Sequence, residues 1–152
     1  MFRILLAAST LQLGVVASAD AQEIGIPPAY GSVSLAAGEQ HTVQLKAGGS
    51  ENVARLLPNC VGFVAEGPDF VVQYTSGEAP LVFLAHSEAD TTLLVNFPDG
   101  KWACDDNSGL NGRDPGMVIY FAPSGQYDVW VGTRQAGVTP DATLRITDSA
   151  AD

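Results

Sequence analysis

Oxygen-bearing side chains crowd into one acidic stretch of the sequence, and their chemistry is that of calcium ligands. The stretch begins with DGKWACDDNSG at residue 99 and continues to residue 114. Calcium takes six to eight oxygen ligands from flexible acidic loops. The candidate ligands are Asp99, Asp105, Asp106, Asn107, Asn111 and Asp114. The register of an EF-hand is absent, and turns in which Asp and Asn bond their own backbone are the simpler interpretation, since they need no ion.

Two histidines, His41 and His86, are the other candidates for chemistry. A serine hydrolase needs a nucleophile, a base and an orienting acid, and His86 has Ser87 and Asp90 near it in sequence. No GxSxG nucleophile elbow is present, however, and a surface histidine is the ordinary expectation at a strand end. A zinc site needs three or four ligands, which two isolated histidines do not supply. We therefore predict no catalytic residue.

The N-terminus has the pattern of a secretory signal peptide. Arg3 precedes a mostly apolar run over residues 4–16, and ASA or ADA offers cleavage after residue 19 or 21. The run of roughly 14 residues is shorter than the about 20 that span a bilayer, although a buried helix or an uncleaved anchor is the alternative. We predict a signal peptide over residues 1–21, one domain over residues 22–148 and a frayed tail over residues 149–152. The protein is then periplasmic or secreted, without stable membrane insertion after cleavage.

The charge balance excludes some partners. The chain has seven basic and 17 acidic residues, a formal net charge of −10, and no basic patch. Such a chain repels nucleic acid and anionic lipid.

The two cysteines, Cys60 and Cys104, are predicted to form a disulfide, because an even number in an exported chain favours pairing. Two buried thiols or a metal pair are the alternatives. The sequence has no CxxC motif, so a redox-active dithiol is not supported. A bridge across 44 positions would close a loop worth about 4 kcal/mol of unfolded-chain entropy.

Short alternating apolar runs between Gly- and Pro-rich turns predict an all-β fold. The predicted strands cover residues 32–36, 41–46, 61–66, 70–75, 81–87, 91–97, 101–104, 117–121, 127–132 and 143–147. One buried face per strand predicts two packed sheets, an antiparallel β-sandwich. Residues 50–57 are the one helical candidate, and we expect this segment to cover the strand LVFLAH, which is apolar on both faces.

Three residues are candidate binding contacts: Trp102, Asp128 and Trp130. Alternation in QYDVWVG puts Trp130 and Asp128 on the face opposite Tyr127, Val129 and Val131. An exposed Trp130 would suit a carbohydrate or protein contact. The alternative is that Trp130 packs under a loop, such as residues 105–116.

The order of motifs over residues 81–147 resembles the bacterial pre-peptidase C-terminal domain. The motifs are ADTTLLVNFPDGKW, CDDNSGLN, PSGQYDVWVGT and ATLRIT. The resemblance implies a jelly-roll-like sandwich that accompanies exported enzymes as an accessory domain, and some related collagen-binding sandwiches bind calcium. No protease domain lies beside these motifs, so the resemblance does not imply peptidase activity here.

We therefore expect an exported, non-enzymatic binding or accessory module that contacts a protein or glycan outside the cytoplasm. The alternative is a calcium-stabilised domain that works with a separately encoded secreted protease. A small hydrolase is the third hypothesis.

Overall fold

Strands make up most of the region that the computed structural model describes, residues 25–109 and 111–148. Within that region the one helical element is a 3₁₀ turn, Val53–Arg55, and no helix is long and apolar enough to cross a membrane. The strands there are β1 Ser32–Ala36, β2 His41–Lys46, β3 Glu51–Asn52, β4 Phe63–Val64, β5 Phe70–Thr75, β6 Leu81–Ser87, β7 Thr91–Asn96, β8 Trp102–Asp105, β9 Gly116–Ile119, β10 Gly125–Thr133 and β11 Asp141–Thr147. The predicted signal peptide and frayed tail lie outside the described residues.

Seven strands form one sheet around the long strand β10. On one side β10 pairs with β5 and, further along, with the short β4. On its other side β10 pairs with β7, which carries β8. The edge strand β1 pairs with β5 in parallel, whereas the other described strand pairs are antiparallel. After β1 the chain crosses to the other sheet, where it forms β2, and it returns to the first sheet before β5. The two neighbouring strands β1 and β5 can therefore run in the same direction.

The remaining four strands form an antiparallel sheet in the order β2-β11-β6-β9. The two sheets pack face to face, and the predicted all-β sandwich is confirmed. Alternation along each strand selects the side chains of the shared core, as the sequence predicted. Tyr127, Val129 and Val131 of β10 are fully buried there, together with Leu144 and Ile146 of β11.

A second apolar cluster lies on the opposite face of the seven-stranded sheet. Trp130 and Leu94, a cross-strand pair, are fully buried there with Val53 and Val64. The ring of Trp102 lies 5.2 Å from that of Trp130, centroid to centroid. The sheet is thus covered on both faces.

A disulfide closes this second cluster. Cys60 and Cys104 are bonded, with their Cα atoms 6.0 Å apart, and this confirms the predicted pairing. Cys104 lies on β8 and Cys60 follows the 3₁₀ turn. The bridge therefore ties the covering segment to the sheet beneath it.

Two predicted contact residues lie in the interior. Trp130 packs under a loop, the alternative to an exposed contact, but the loop is residues 53–64 and not residues 105–116, and none of the side chain is accessible. Asp128 is likewise only 4% exposed, and Gln126 Nε2 donates a hydrogen bond of 2.9 Å to its carboxylate. The covering segment also contains the predicted helical stretch. It packs on the seven-stranded sheet, and not on β6 as we expected.

The hairpin between β7 and β8 turns at Pro98-Asp99-Gly100, as predicted. Asp99 Oδ1 accepts a hydrogen bond of 3.1 Å from the backbone N–H of Lys101. Gly100 has a φ of 79°, and its N–H donates to the carbonyl of Phe97. The carboxylate therefore fixes the turn, and glycine supplies the left-handed conformation that it requires.

Candidate binding groove

The outer face of the four-stranded sheet carries a short run of polar side chains. Phe83 and Ala85 of β6 point into the core, so Leu84 and His86 point outward. In the cross-strand register, Thr143 of β11 lies opposite His86, and Arg145 lies opposite Leu84. Two strands thus place an imidazole and a guanidinium on the same surface.

Residues 109 and 111–115 of the loop before β9 fold back over this face. The carbonyl of Pro115 accepts a 3.1 Å hydrogen bond from the N–H of Ala85, which anchors the loop to β6. Asn111 Oδ1 accepts from the N–H groups of Arg113 and Asp114 at 3.1 and 2.9 Å. At Gly109 an added Cβ would lie 2.5 Å from the carbonyl oxygen of Asp114, so only glycine fits.

An open groove of about 440 Å³ lies between the sheet and the loop. Its lining consists of Leu84, Ala85, His86, Gly109, Asn111, Asp114, Pro115, Thr143 and Arg145.

The central contact of the groove joins His86 to Asp114. His86 Nδ1 lies 2.5 Å from Asp114 Oδ2, and Asn111 Nδ2 donates to the same oxygen at 2.7 Å. The His86 side chain is 64% exposed, whereas that of Asp114 is 10% exposed. A buried carboxylate therefore holds an imidazole that faces the solvent.

This contact changes the protonation of His86. The hydrogen bond to Asp114, its negative charge and that of Glu88 raise the pKa of His86, against a smaller opposing effect of burial. The stabilisation from the pair is therefore fully present below pH 6.5, and it is lost as the pH rises through the raised folded-state pKa. A larger fraction of the imidazole is charged near neutral pH than for a free histidine.

The Asp114→Asn substitution is expected to lower the pKa of His86 toward that of an ordinary histidine. It removes the charge and weakens the hydrogen bond that favour the imidazolium. A histidine side-chain NMR titration measures the change, with Asp90→Asn as a control that removes a charge elsewhere. A His86 pKa that is unaltered by Asp114→Asn would contradict the ion pair.

The arrangement suits the recognition of an anion. Because Asp114 occupies Nδ1 of His86, the other ring nitrogen, Nε2, is left to donate a hydrogen bond. Arg145 supplies a planar, permanently charged donor on the same face. The groove therefore offers two cationic donor side chains beside the carboxylate of Asp114.

The groove does not contain the hydroxyl nucleophile that the sequence suggested beside His86. Ser87 points to the other face of β6 and donates a 2.7 Å hydrogen bond to the carbonyl of Asp141. Thr143, on the same face as His86, donates to Gln44 Oε1 at 2.9 Å. His86 and Asp114 thus resemble a base and its orienting acid, while the adjacent serine is turned away.

A second hollow surrounds Arg134, between Asp90 and the loop before β11. Arg134 Nη1 lies 3.3 Å from Asp106 Oδ2, and Arg134 Nε lies 4.0 Å from Asp90 Oδ2. Two carboxylates already surround this guanidinium. We favour the His86 groove as the functional site because its imidazole is 64% exposed and lies in an open groove.

The structure distributes the six candidate calcium ligands over several places. Asn111 and Asp114 meet in the groove, whereas Asp105 Oδ2 accepts from the N–H groups of Ser108 and Gly116 at 2.8 and 2.9 Å. Asp106 lies beside Arg134, Asn107 is exposed in the loop after β8, and Asp99 caps its own turn. Asp99 lies in the turn before β8 and Asp105 is the last residue of β8, a strand roughly 10 Å long.

In residues 25–109 and 111–148 no group of three or more His, Cys, Asp or Glu side chains is arranged to hold a metal ion. The backbone-bonding interpretation describes Asp99, Asp105 and Asn111 well. Calcium binding by this stretch stays a prediction.

The remaining candidates have structural contacts. Trp102 is half-buried against Trp130, and the ring of His41 stacks on that of Phe70 with centroids 5.4 Å apart. A contact of Trp102 with a partner stays a prediction.

Sequence reasoning missed Arg145 and Thr143, and it treated His86 as an ordinary surface residue. The alternation of LVFLAH and TLRIT could have placed Leu84, His86, Thr143 and Arg145 on one outer face. Nothing local in the sequence indicates that Asp114, 28 residues beyond His86, returns to contact it.

No family model matches this chain, and no curated protein matches it. A search of solved structures finds similarity to the pre-peptidase C-terminal domain of a collagenase from Bacillus anthracis. The identity is 14%, the TM-score is 0.44, and the match covers 76% of this chain and 94% of that chain. The fold assignment rests on the strand pairing described above, and membership of that family stays a prediction.

Proposed function

We propose that this protein is a non-catalytic binding module that captures a carboxylate group of a protein or glycan outside the cytoplasm. The observation that carries the proposal is the exposed imidazole of His86, held by the buried carboxylate of Asp114 in a groove that also contains Arg145. Charged donors of this kind form strong hydrogen bonds with carboxylates.

The charge of the whole chain supports a small, singly charged target. With a net charge of −10, the chain repels polyanions over a long range. A ligand with a single carboxylate is repelled less on its way to His86 and Arg145 than a nucleic acid or an anionic membrane would be.

Two observations support the location and the absence of catalysis. A disulfide is typical of proteins in oxidising compartments, and this chain contains one. The hydroxyl of Ser87 is directed away from His86, so the histidine is suited to binding rather than to activating that serine.

Calorimetric titration tests the proposal with two probes that each carry one carboxylate, galacturonate and a short blocked peptide containing one glutamate. We expect saturable binding of at least one probe at pH 6, and weaker binding as the pH rises through the His86 titration. His86→Gln and Arg145→Gln should each weaken binding at least about tenfold, since each removes a charge-assisted hydrogen bond.

The chain offers a matched control for each variant. His41→Gln removes the other histidine, and Arg134→Gln removes the same charge from the second hollow. If the controls weaken binding as much as the groove variants do, the groove is not the site. If neither probe binds, the proposed function is wrong.

A further inference from the structure

Strand β9 is a short edge strand without a charged side chain. It is the last strand of its sheet and pairs with β6 alone among the described residues. Proteins often guard such edges with charged side chains, but residues 115–127 carry no charge, and the two prolines in this range, Pro115 and Pro123, lie outside the strand itself. The opposite edge, β2, exposes Thr42, Gln44 and Lys46, and Lys46 forms a 2.7 Å ion pair with Asp141.

Large apolar side chains continue this edge into the solvent. Val118 on β9 is 40% exposed, and Tyr120 and Phe121, the aromatic tip that follows it, are 73% and 93% exposed. Exposed aromatic rings at the end of an open strand are typical of a contact surface.

The backbone holds the aromatic tip in a strained conformation. Phe121 is the one described non-glycine residue with a positive φ, at 55°. A bulky side chain is disfavoured there, and strain of this kind is concentrated at functional sites. Glycine would adopt the same conformation freely, so the ring of Phe121 is not needed for the turn itself.

We propose that β9 and the aromatic tip form a second binding site, which receives an extended apolar segment of a partner polypeptide as an added strand. The N–H of Gly116 already donates to Asp105, so the outward backbone groups from Val118 onward supply the hydrogen bonds, and Val118, Tyr120 and Phe121 cover the apolar side chains of the segment. This proposal does not depend on carboxylate binding in the groove.

Charge identifies the kind of segment and argues against a second copy. The edge is uncharged within a chain of net charge −10, so the long-range field attracts a segment with basic residues at its ends. A second copy would bring the same negative charge and no complementary cations. The occupant is therefore an apolar strand flanked by Lys or Arg on a different polypeptide.

The probe is a synthetic peptide of alternating valine and threonine with two lysines at each end. We expect NMR titration to show binding, with slower exchange of the β9 amide protons that point away from β6. A control peptide with a central proline cannot complete the hydrogen-bond ladder with β9. A second control peptide with glutamate in place of the terminal lysines should bind at least about tenfold more weakly.

Two variants of the protein make the test specific. Val118→Lys should weaken peptide binding at least about tenfold by charging the edge. Val138→Lys, at a valine of equal exposure away from β9, should leave binding unchanged. Phe121→Gly should also weaken binding, yet it should not lower the melting temperature, because glycine relieves the strained φ.

Three results would overturn the proposal. The first is that the peptide does not bind at about 1 mM. The second is that wild type, Val118→Lys and Phe121→Gly bind the peptide equally well. The third is that the protein forms a concentration-dependent dimer that Val118→Lys dissociates. The last would make a second copy the occupant.

Discussion

Replacement of both cysteines, Cys60→Ala with Cys104→Ala, is expected to lower the free energy of unfolding by about 4 kcal/mol. The disulfide closes a loop of 44 positions, and its loss restores that much chain entropy to the unfolded state. The segment that contains Cys60 also covers Trp130, so removal of the bridge loosens the packing around that ring as well. Denaturant unfolding measures the change.

Fluorescence adds a local readout to this prediction. Trp102 and Trp130 lie beside the bridge, so a loosened cover should shift tryptophan emission to longer wavelength before global unfolding. Reduction of the wild type under non-denaturing conditions is the matched control, and it should reproduce both changes. A loss below about 1 kcal/mol would show that the bridge contributes much less than the loop-closure account requires.

The second large effect is expected at Asp69, a carboxyl group that is only 2% exposed. Burial raises its pKa to about 7, against the opposing effect of a hydrogen bond from the N–H of Val131. That bond, to Asp69 Oδ2, measures 2.7 Å.

The raised pKa fixes the direction of the pH dependence. The folded protein holds a proton on Asp69 that the unfolded chain releases above about pH 3.8. The stability of the wild type therefore falls as the pH rises from about 4 to 7, and the Asp69 contribution is constant outside that range. Asp69→Asn removes the charge and retains an acceptor for Val131.

We expect the stability of Asp69→Asn relative to the wild type to increase by on the order of 4 kcal/mol between pH 4 and pH 8. Denaturant unfolding at several pH values measures this difference. Asp99→Asn is the control, since the hydrogen bond from Lys101 lowers the pKa of the exposed Asp99. Its relative stability should not increase with pH, and a flat Asp69→Asn difference would contradict the burial account.

The sequence predicts the sandwich well because period-two alternation is a local property. Tyr127 and Val129 on one face of β10, and Trp130 on the other, follow from spacing alone. Strand ends are predicted less well. We expected a strand to continue to residue 121, but it ends at Ile119 because the chain turns there and Phe121 takes a positive φ.

Features that depend on contacts between distant residues could not be predicted in the same way. Alternation shows that Trp130 faces away from the main core, but it does not show that residues 53–64 cover it. Likewise Asp114, in the loop before β9, is predicted as a calcium ligand among other acids, whereas its nearest partner is His86 on β6. Only the return of the loop over β6 brings these two residues together.

The groove proposal is tested most directly by following the imidazole of His86 by NMR while a carboxylate ligand is added. If the groove binds the carboxylate through the charged ring, binding and protonation favour each other. Saturation with galacturonate or the glutamate peptide should then raise the pKa of His86 further, while the His41 signals do not move. A His86 titration that is the same with and without both ligands would contradict the account.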